Sequence, residues 1–77
     1  MKSTATKVSS SDIELERDVL NLLRDQSLLR RVSVEVSGGN ITLRGEVQSF
    51  YRRQLLVHGC RRLPGVGSVI DELRVEA

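Results

Sequence analysis

The sequence predicts one α+β domain in the order α-β-β-α-β, with two helices packed on one face of a three-stranded mixed sheet. Apolar residues recur at helical spacing in two segments, and two alternating segments meet at a glycine pair before a last alternating segment. The chain has 77 residues, which leaves room for a single core. A strand-helix-strand crossover is right-handed and places the third strand parallel to the second.

The first helix is predicted to begin at Ser11, because residues 11–14 read S-x-x-E, the capping box that satisfies free N–H groups at a helix start. Residues 1–9 are rich in Ser, Thr and Lys and have little to bury. We therefore expect a disordered leader, followed by a domain over residues 10–77. The buried stripe of the helix consists of Leu15, Val19, Leu22 and Leu23.

A connector and a β-hairpin follow the first helix. The pair Leu28-Leu29 is expected to return one leucine to the core. Residues 32–36 and 41–47 alternate between apolar and polar types, and the intervening Ser-Gly-Gly-Asn tolerates positive φ. Each strand has one apolar face, which is typical of a sheet covered on one side only.

The second helix is predicted to be capped by Ser49 and to run from Phe50 to about Leu63, where Pro64 and Gly65 end it. Its predicted buried stripe is Leu55, Leu56, Gly59 and Leu63, with Arg52 on the same side near the first turn. Glycine costs about 1 kcal/mol of helix propensity relative to Ala, so a glycine in this stripe indicates close approach of helix and sheet.

The last strand is predicted over residues 68–75. Asp71 lies on the same alternation phase as the apolar residues of this strand, whereas Ile70 lies off it. A bulge or an edge position near Asp71 accounts for this pattern.

Composition excludes several classes of protein. Hydrophobic residues make up 39% and charged residues 29% of the chain, as in a globular domain. The longest apolar run, residues 55–57, is far short of the roughly 20 residues that a transmembrane helix needs. The net charge of +2 comes from Lys2 and Lys7, because the ten arginines are balanced by ten acidic residues.

The compartment depends on whether the sequence is a whole protein. The N-terminal residues lack the apolar segment of a secretory signal, so the chain as written is expected in the cytoplasm. If it is a domain of a longer exported protein, we expect it in the periplasm or at a membrane. The single Cys60 excludes an internal disulfide and leaves the redox compartment open.

Residues 12–75 resemble the BON domain family. The resemblance rests on I-T-L-x-G-x-V at residues 41–47 and on G-V-x-x-V-x-x-x-L-x-V at residues 65–75, and it covers nearly everything after the leader. It implies an α-β-β-α-β fold without catalytic activity, of the kind found in bacterial envelope, osmotic-stress, channel-associated and secretion-associated proteins. The implied role is attachment to phospholipid membranes or to other envelope components.

The sequence offers no catalytic group, metal site or cofactor motif. His58 and Cys60 are the one nucleophile and base pair available, but two residues on a helix diverge by about 200°. One His and one Cys are also too few to hold a metal ion. The pair Gly38-Gly39 joins two strands and lacks the lysine of a phosphate-binding loop, so a hairpin turn is the better interpretation.

The outward face of the second helix is the candidate binding surface. Phe50 and Val57 lie seven residues apart on it. Arg53, Gln54 and Arg61 lie among them, and apolar residues flanked by arginines suit contact with anionic lipid or with a protein partner. The alternative is an ordinary solvated surface, with Phe50 folded back over the first turn.

Two further surfaces remain open. Ile13 and Leu20, also seven residues apart, flank the buried stripe of the first helix and suit dimerisation or a protein partner; alternatively they are the edge of a wide core stripe. Nucleic acid is disfavoured, because acidic residues balance the arginines and no aromatic platform is available for stacking. The arginines in question are the pairs Arg30-Arg31, Arg52-Arg53 and Arg61-Arg62.

Overall fold

The computed structural model describes residues 10–76, and the predicted leader lies outside them. Within this range the chain forms two helices and three strands in the predicted order, which confirms the predicted fold class. The helices and strands are α1 (Ser10–Asp25), β1 (Val32–Ser37), β2 (Asn40–Val47), α2 (Phe50–Arg61) and β3 (Ser68–Val75).

The three strands form one mixed sheet in the order β1-β2-β3. β1 and β2 are antiparallel, with Val36 opposite Ile41, and β2 and β3 are parallel, with Ile41 opposite Val69. Gly38 and Gly39 have φ values of 58° and 82° in the turn between β1 and β2. A two-residue hairpin turn requires this left-handed conformation, which glycine adopts without strain, so the predicted hairpin is confirmed.

Both helices pack on one face of the sheet. Inward side chains of the strands and the buried sides of both helices form one cluster without an aromatic residue. Alternation along the strands places the remaining side chains on the opposite face, which no described segment covers. The buried members of the core are Leu15, Val19, Leu23, Leu28, Val32, Ile41, Leu43, Val47, Leu56, Val57, Cys60 and Leu73.

β3 lies at one edge of the sheet. Its pairing with β2 is continuous from Ser68 to Val75, so the edge position is confirmed and the bulge is not present. Asp71 is paired with Leu43 in this register and therefore points to the helix side of the sheet. A charge that points inward on an edge strand discourages pairing with a strand of another molecule.

α1 ends in a Schellman motif. Ser27 has a φ of 59°, and its N–H donates to the carbonyl of Arg24 at 3.0 Å. The N–H of Leu28 donates to the carbonyl of Leu23 at 2.7 Å, which completes the motif. Leu28 is thereby turned back onto the core, whereas Leu29 remains 46% exposed. The predicted return of one leucine is confirmed.

The first turn of α1 is fastened to the hairpin. The helix begins at Ser10, one residue before the predicted start, so Ser11 lies within the first turn rather than at the cap. The carboxylate of Asp12 accepts hydrogen bonds from the N–H groups of Gly38 and Gly39, each at 2.9 Å. Asp12 is buried, at 4% exposure, and the capping-box pattern does not predict this contact.

Ser49 caps α2 as predicted, and its hydroxyl accepts a hydrogen bond from the N–H of Arg52 at 3.2 Å. The helix ends at Arg61, two residues before the predicted end. Pro64 explains the earlier end, because it disfavours the helical conformation at the residue before it.

The predicted buried stripe of α2 is partly wrong, since Leu56 is buried and Leu63 packs against the core as predicted, but the stripe is displaced by about one residue. Leu56, Val57 and Cys60 are buried, whereas Leu55 is 40% exposed. One residue corresponds to about 100° of rotation around the helix, so α2 turns a neighbouring side to the sheet. The apolar run of residues 55–57 spans about 200° and does not by itself select one side.

Two contacts select the observed side of α2. The guanidinium of Arg53 donates to the inward carboxylate of Asp71 at 2.8 Å. A Cβ at Gly59 would lie 3.2 Å from the side chain of Leu22, so this glycine permits close approach of α1 and not, as predicted, of the sheet. Arg52, which was predicted on the buried side, is exposed.

Candidate functional site

The first turn of α2 exposes both aromatic side chains of the protein. The sequence contains one Phe, one Tyr and no Trp. Phe50 and Tyr51 are 65% and 69% exposed, and Leu55, one turn further along, is also exposed. Several large apolar side chains exposed together on one helix are typical of a contact surface.

The two helices carry opposite charge. α1 contains five acidic and two basic residues. α2 contains three arginines and no acidic residue, and Arg62 follows as its C-cap residue. The exposed side of α2 therefore combines aromatic rings with guanidinium groups.

The five residues predicted as a lipid or partner surface lie together. They line a groove of about 200 Å³ between α2 and the edge of the sheet, and Asp71 of β3 closes one side of it. The guanidinium carbon of Arg53 lies 5.6 Å from the centre of the Phe50 ring, within the range of a cation–π contact. The lining residues from α2 are Phe50, Arg53, Gln54, Val57 and Arg61.

Arg53 is held by β3. Its ion pair with Asp71 is only partly exposed, with 32% and 24% of the two side chains accessible. The carboxylate of Asp71 also accepts the N–H of Leu73 at 3.0 Å. Arg53 is therefore fixed in place and largely neutralised. Arg61 forms no ion pair with a described carboxylate, so it is the available cation of this groove.

Val57 lines the floor of the groove. It is 6% exposed, so its predicted position on the outward face is wrong. The rotation of α2 by about one residue explains the error, since it moves Val57 toward the sheet and Leu55 toward solvent. Leu55, and not Val57, is therefore the exposed aliphatic side chain in this part of α2.

A second flank of α2 was not predicted from the sequence. It faces away from the sheet, borders a shallow depression of about 330 Å³ and shares Gln54 with the groove. Spacings of three and four residues along α2 indicate this stripe, but assigning Leu55 to the core hid it. Its members are Tyr51, Gln54, Leu55, His58 and Arg62.

The alternative surface on α1 is divided. Ile13 is 51% exposed. Leu20 is partly buried and packs against the core, as the edge of a wide core stripe does. Of the two residues, Ile13 alone is exposed.

His58 and Cys60 lie in different environments. His58 is exposed, whereas Cys60 is fully buried. Burial raises the pKa of the Cys60 thiol from 9.0 to about 11, so the reactive thiolate is scarce at neutral pH. Among residues 10–76, no group of three or more His, Cys, Asp or Glu side chains is arranged to hold a metal ion.

The three arginine pairs do not form one zone. Arg30 and Arg31 precede β1, at the end of the molecule where Arg52 lies in the first turn of α2. Arg61 and Arg62 lie at the other end of α2, roughly 14 Å away at 1.5 Å per residue.

The uncovered face of the sheet has paired charges near its centre, one arginine between two glutamates. Arg44 lies 2.7 Å from Glu72 and 3.5 Å from Glu35. The hydrogen bond with Glu72, and then the charges of both carboxylates, raise the pKa of Arg44. Ile70 is 45% exposed on this face.

Neither helix in the described part of the chain has the length and apolar character needed to cross a bilayer.

The family model of the BON domain matches residues 11–77, a range that includes all three strands, α2 and all but the first residue of α1. No curated protein matches the chain.

Proposed function

Since the chain belongs to the BON domain family, whose members are non-catalytic binding domains, we propose that it attaches to anionic phospholipid membranes through the exposed side of α2. One observation carries the proposal. Both aromatic residues of the protein are exposed on the helix that contains arginines and no acidic residue.

Each kind of side chain on this helix has a part in the attachment. Phe50, Tyr51 and Leu55 are placed to enter the boundary between lipid headgroups and acyl chains. Arg61 and Arg62 reach lipid phosphates from the same helix, and each basic residue near an anionic surface contributes about 1 kcal/mol. Arg53, already bound to Asp71, positions the Phe50 ring and contributes little charge.

The charge distribution also favours this orientation. An anionic surface attracts α2 and repels the acidic residues of α1, so the protein approaches the membrane with α2 leading. Both forces are screened at high salt, because the Debye length falls to about 3 Å at 1 M.

Co-sedimentation with vesicles tests the proposal. The full chain is expected to sediment with vesicles rich in phosphatidylglycerol at low salt, to be released by salt, and to stay in solution with phosphatidylcholine vesicles. The double variant Arg61→Gln and Arg62→Gln is expected to bind these vesicles about 30-fold more weakly, at about 1 kcal/mol per arginine. No binding to anionic vesicles at low salt would end the proposal.

Matched variants test the surface. Tyr51→Ser and Leu55→Ser remove exposed apolar groups from α2, and Ile70→Ser removes a comparably exposed one from the uncovered face of the sheet. The α2 variants are expected to lose vesicle binding while Ile70→Ser retains it. If all three variants bind vesicles as well as the natural chain does, another face contacts the lipid.

A second candidate function is a structural interaction or oligomerisation domain without lipid affinity, attached to an envelope-associated protein partner. The exposure of Ile13 on the acidic helix favours it. It predicts self-association or partner binding that Ile13→Ser abolishes, measured by sedimentation equilibrium, together with no affinity for anionic vesicles.

A further inference from the structure

A small recessed cavity lies where the end of α1 meets the start of α2. It has a volume of about 130 Å³, roughly that of four water molecules at about 30 Å³ each. The turn after α1 and the residue before the cap of α2 form its walls. Its lining residues are Gln26, Ser27, Leu28, Arg31, Gln48 and Arg52.

Two guanidinium groups line this cavity. Arg52 donates to the carbonyl of Gln26 at 3.4 Å and forms no ion pair with a described carboxylate. Arg31 is paired through Nη1 with Glu76 at 3.2 Å, on an exposed part of the surface. A guanidinium has five N–H donors, so both arginines retain donors for an anion.

One lining residue of the cavity, Gln26, has an unsatisfied polar atom. The side-chain oxygen Oε1 of Gln26 is buried and has no hydrogen-bond partner among the described residues. A buried acceptor without a partner costs about 1–3 kcal/mol, which a donor in the cavity would remove once the Gln26 side chain turns its oxygen toward it. A hydroxyl suits this acceptor better than an ammonium group, because Arg31 and Arg52 repel a cation.

We propose that this cavity is a phosphate-binding subsite for a phosphoester that bears a hydroxyl. Arg52 and Arg31 contact the phosphate oxygens, and Gln26 accepts from the hydroxyl. The shared chemistry is that of a lipid headgroup and of a free phosphoester. The lipid source rests on the proposed membrane attachment and deepens it, because Tyr51 and the exposed Leu29 flank this end of the molecule.

Titration of the 15N-labelled full chain with glycerol 3-phosphate tests the subsite, with sodium chloride at equal ionic strength as the reference. The amide signals of Gln26, Ser27, Gln48 and Arg52 are expected to shift. Arg52→Gln is expected to weaken binding about tenfold or more, since it removes charge-assisted hydrogen bonds. Arg74→Gln, an exposed position of β3 outside the cavity, is expected to change it less than about twofold.

Absence of shifts in the folded protein would overturn the subsite. Equal weakening by Arg52→Gln and Arg74→Gln would also overturn it, because general charge attraction then explains the binding. Arg31→Gln supplies a second test, with an expected weakening smaller than that of Arg52→Gln because Glu76 already occupies part of Arg31.

Vesicle binding separates the two proposals. Phosphoester shifts without binding to anionic vesicles retain the subsite, with a free phosphoester as ligand, and end the membrane proposal. The protein could also bind vesicles without showing phosphoester shifts. If Arg52→Gln then binds vesicles as well as Arg74→Gln does, the subsite is ruled out and the membrane proposal is retained. If Arg52→Gln loses both the phosphoester shifts and vesicle binding, a lipid headgroup is supported as the ligand.

Discussion

α1 and α2 pack on the same face of the sheet, yet their buried sides are specified in different ways. Leu15, Val19 and Leu23 of α1 are buried as their spacing predicts. In α2 three consecutive apolar residues leave the buried side ambiguous, and contacts with Asp71 and Leu22 decide it. Apolar spacing thus suffices where it is unambiguous, and contacts with a charge of β3 and a leucine of α1 decide the rest.

The helices also differ in what they do at the surface. The first turn of α1 is directed inward, where Asp12 holds the hairpin. The first turn of α2 is directed outward and exposes Phe50 and Tyr51. We therefore expect mutations in α1 to act mainly on stability, and mutations on the exposed side of α2 to act mainly on binding.

The largest expected effect tests the corrected buried side of α2. Leu56→Ala is expected to lower the free energy of unfolding by about 3 kcal/mol, because the side chain is fully buried. Leu55→Ala is expected to lower it by less than about 1 kcal/mol, since Leu55 is 40% exposed. Urea unfolding of both variants measures the difference. Comparably large losses in both variants would restore the buried stripe predicted from the sequence, which contains both leucines.

A slightly smaller effect is expected where α1 meets the hairpin. Asp12→Ala removes an acceptor of two hydrogen bonds and leaves the N–H groups of Gly38 and Gly39 without it, so we expect a loss of about 2–3 kcal/mol. Glu14→Ala, on the exposed side of α1, is the control and is expected to change stability by less than about 0.5 kcal/mol. Similar values for both variants would remove Asp12 from its structural role.

The pH dependence of α2 packing comes from Cys60. Its folded-state pKa of about 11 exceeds the ordinary 9.0, so the unfolded chain loses the proton first as pH rises. The stabilisation from the neutral buried thiol is fully present below pH 9 and is lost as the pH rises through 11. The loss at pH 11 amounts to about 2 kcal/mol. Urea unfolding at pH 8 and pH 11 should show this extra loss in the natural chain and not in Cys60→Ala. Parallel pH profiles would contradict a buried neutral thiol.

The smallest stability effect concerns the contact that orients α2. A double-mutant cycle of Arg53→Gln and Asp71→Asn is expected to give a coupling free energy of about 1 kcal/mol, because the ion pair is partly exposed and screened by solvent. Arg44 and Glu72, paired at 2.7 Å on the more exposed face, are the comparison and should couple more weakly. A coupling near zero for Arg53 and Asp71 would leave the orientation of α2 to apolar packing alone.

The sheet was predictable because its signals are local. Alternation sets each strand, and the pair Gly38-Gly39 sets the turn. The Asp12 contact was not predictable, since it joins residues that are 26 and 27 positions apart. The predicted surface contained four exposed or half-buried residues and one buried residue, Val57. The ambiguous apolar run of α2 explains the misplaced Val57, and it also explains why the second flank of this surface was missed.

Tyrosine fluorescence tests the membrane proposal most directly, because the chain has one Tyr and no Trp, so the emission reports Tyr51 alone. Vesicles rich in phosphatidylglycerol are prepared with or without bromine on the acyl chains. If α2 enters the headgroup boundary, the bound protein loses emission on the brominated vesicles and keeps it on the others. Bound protein with equal emission on both would contradict attachment through this side of α2.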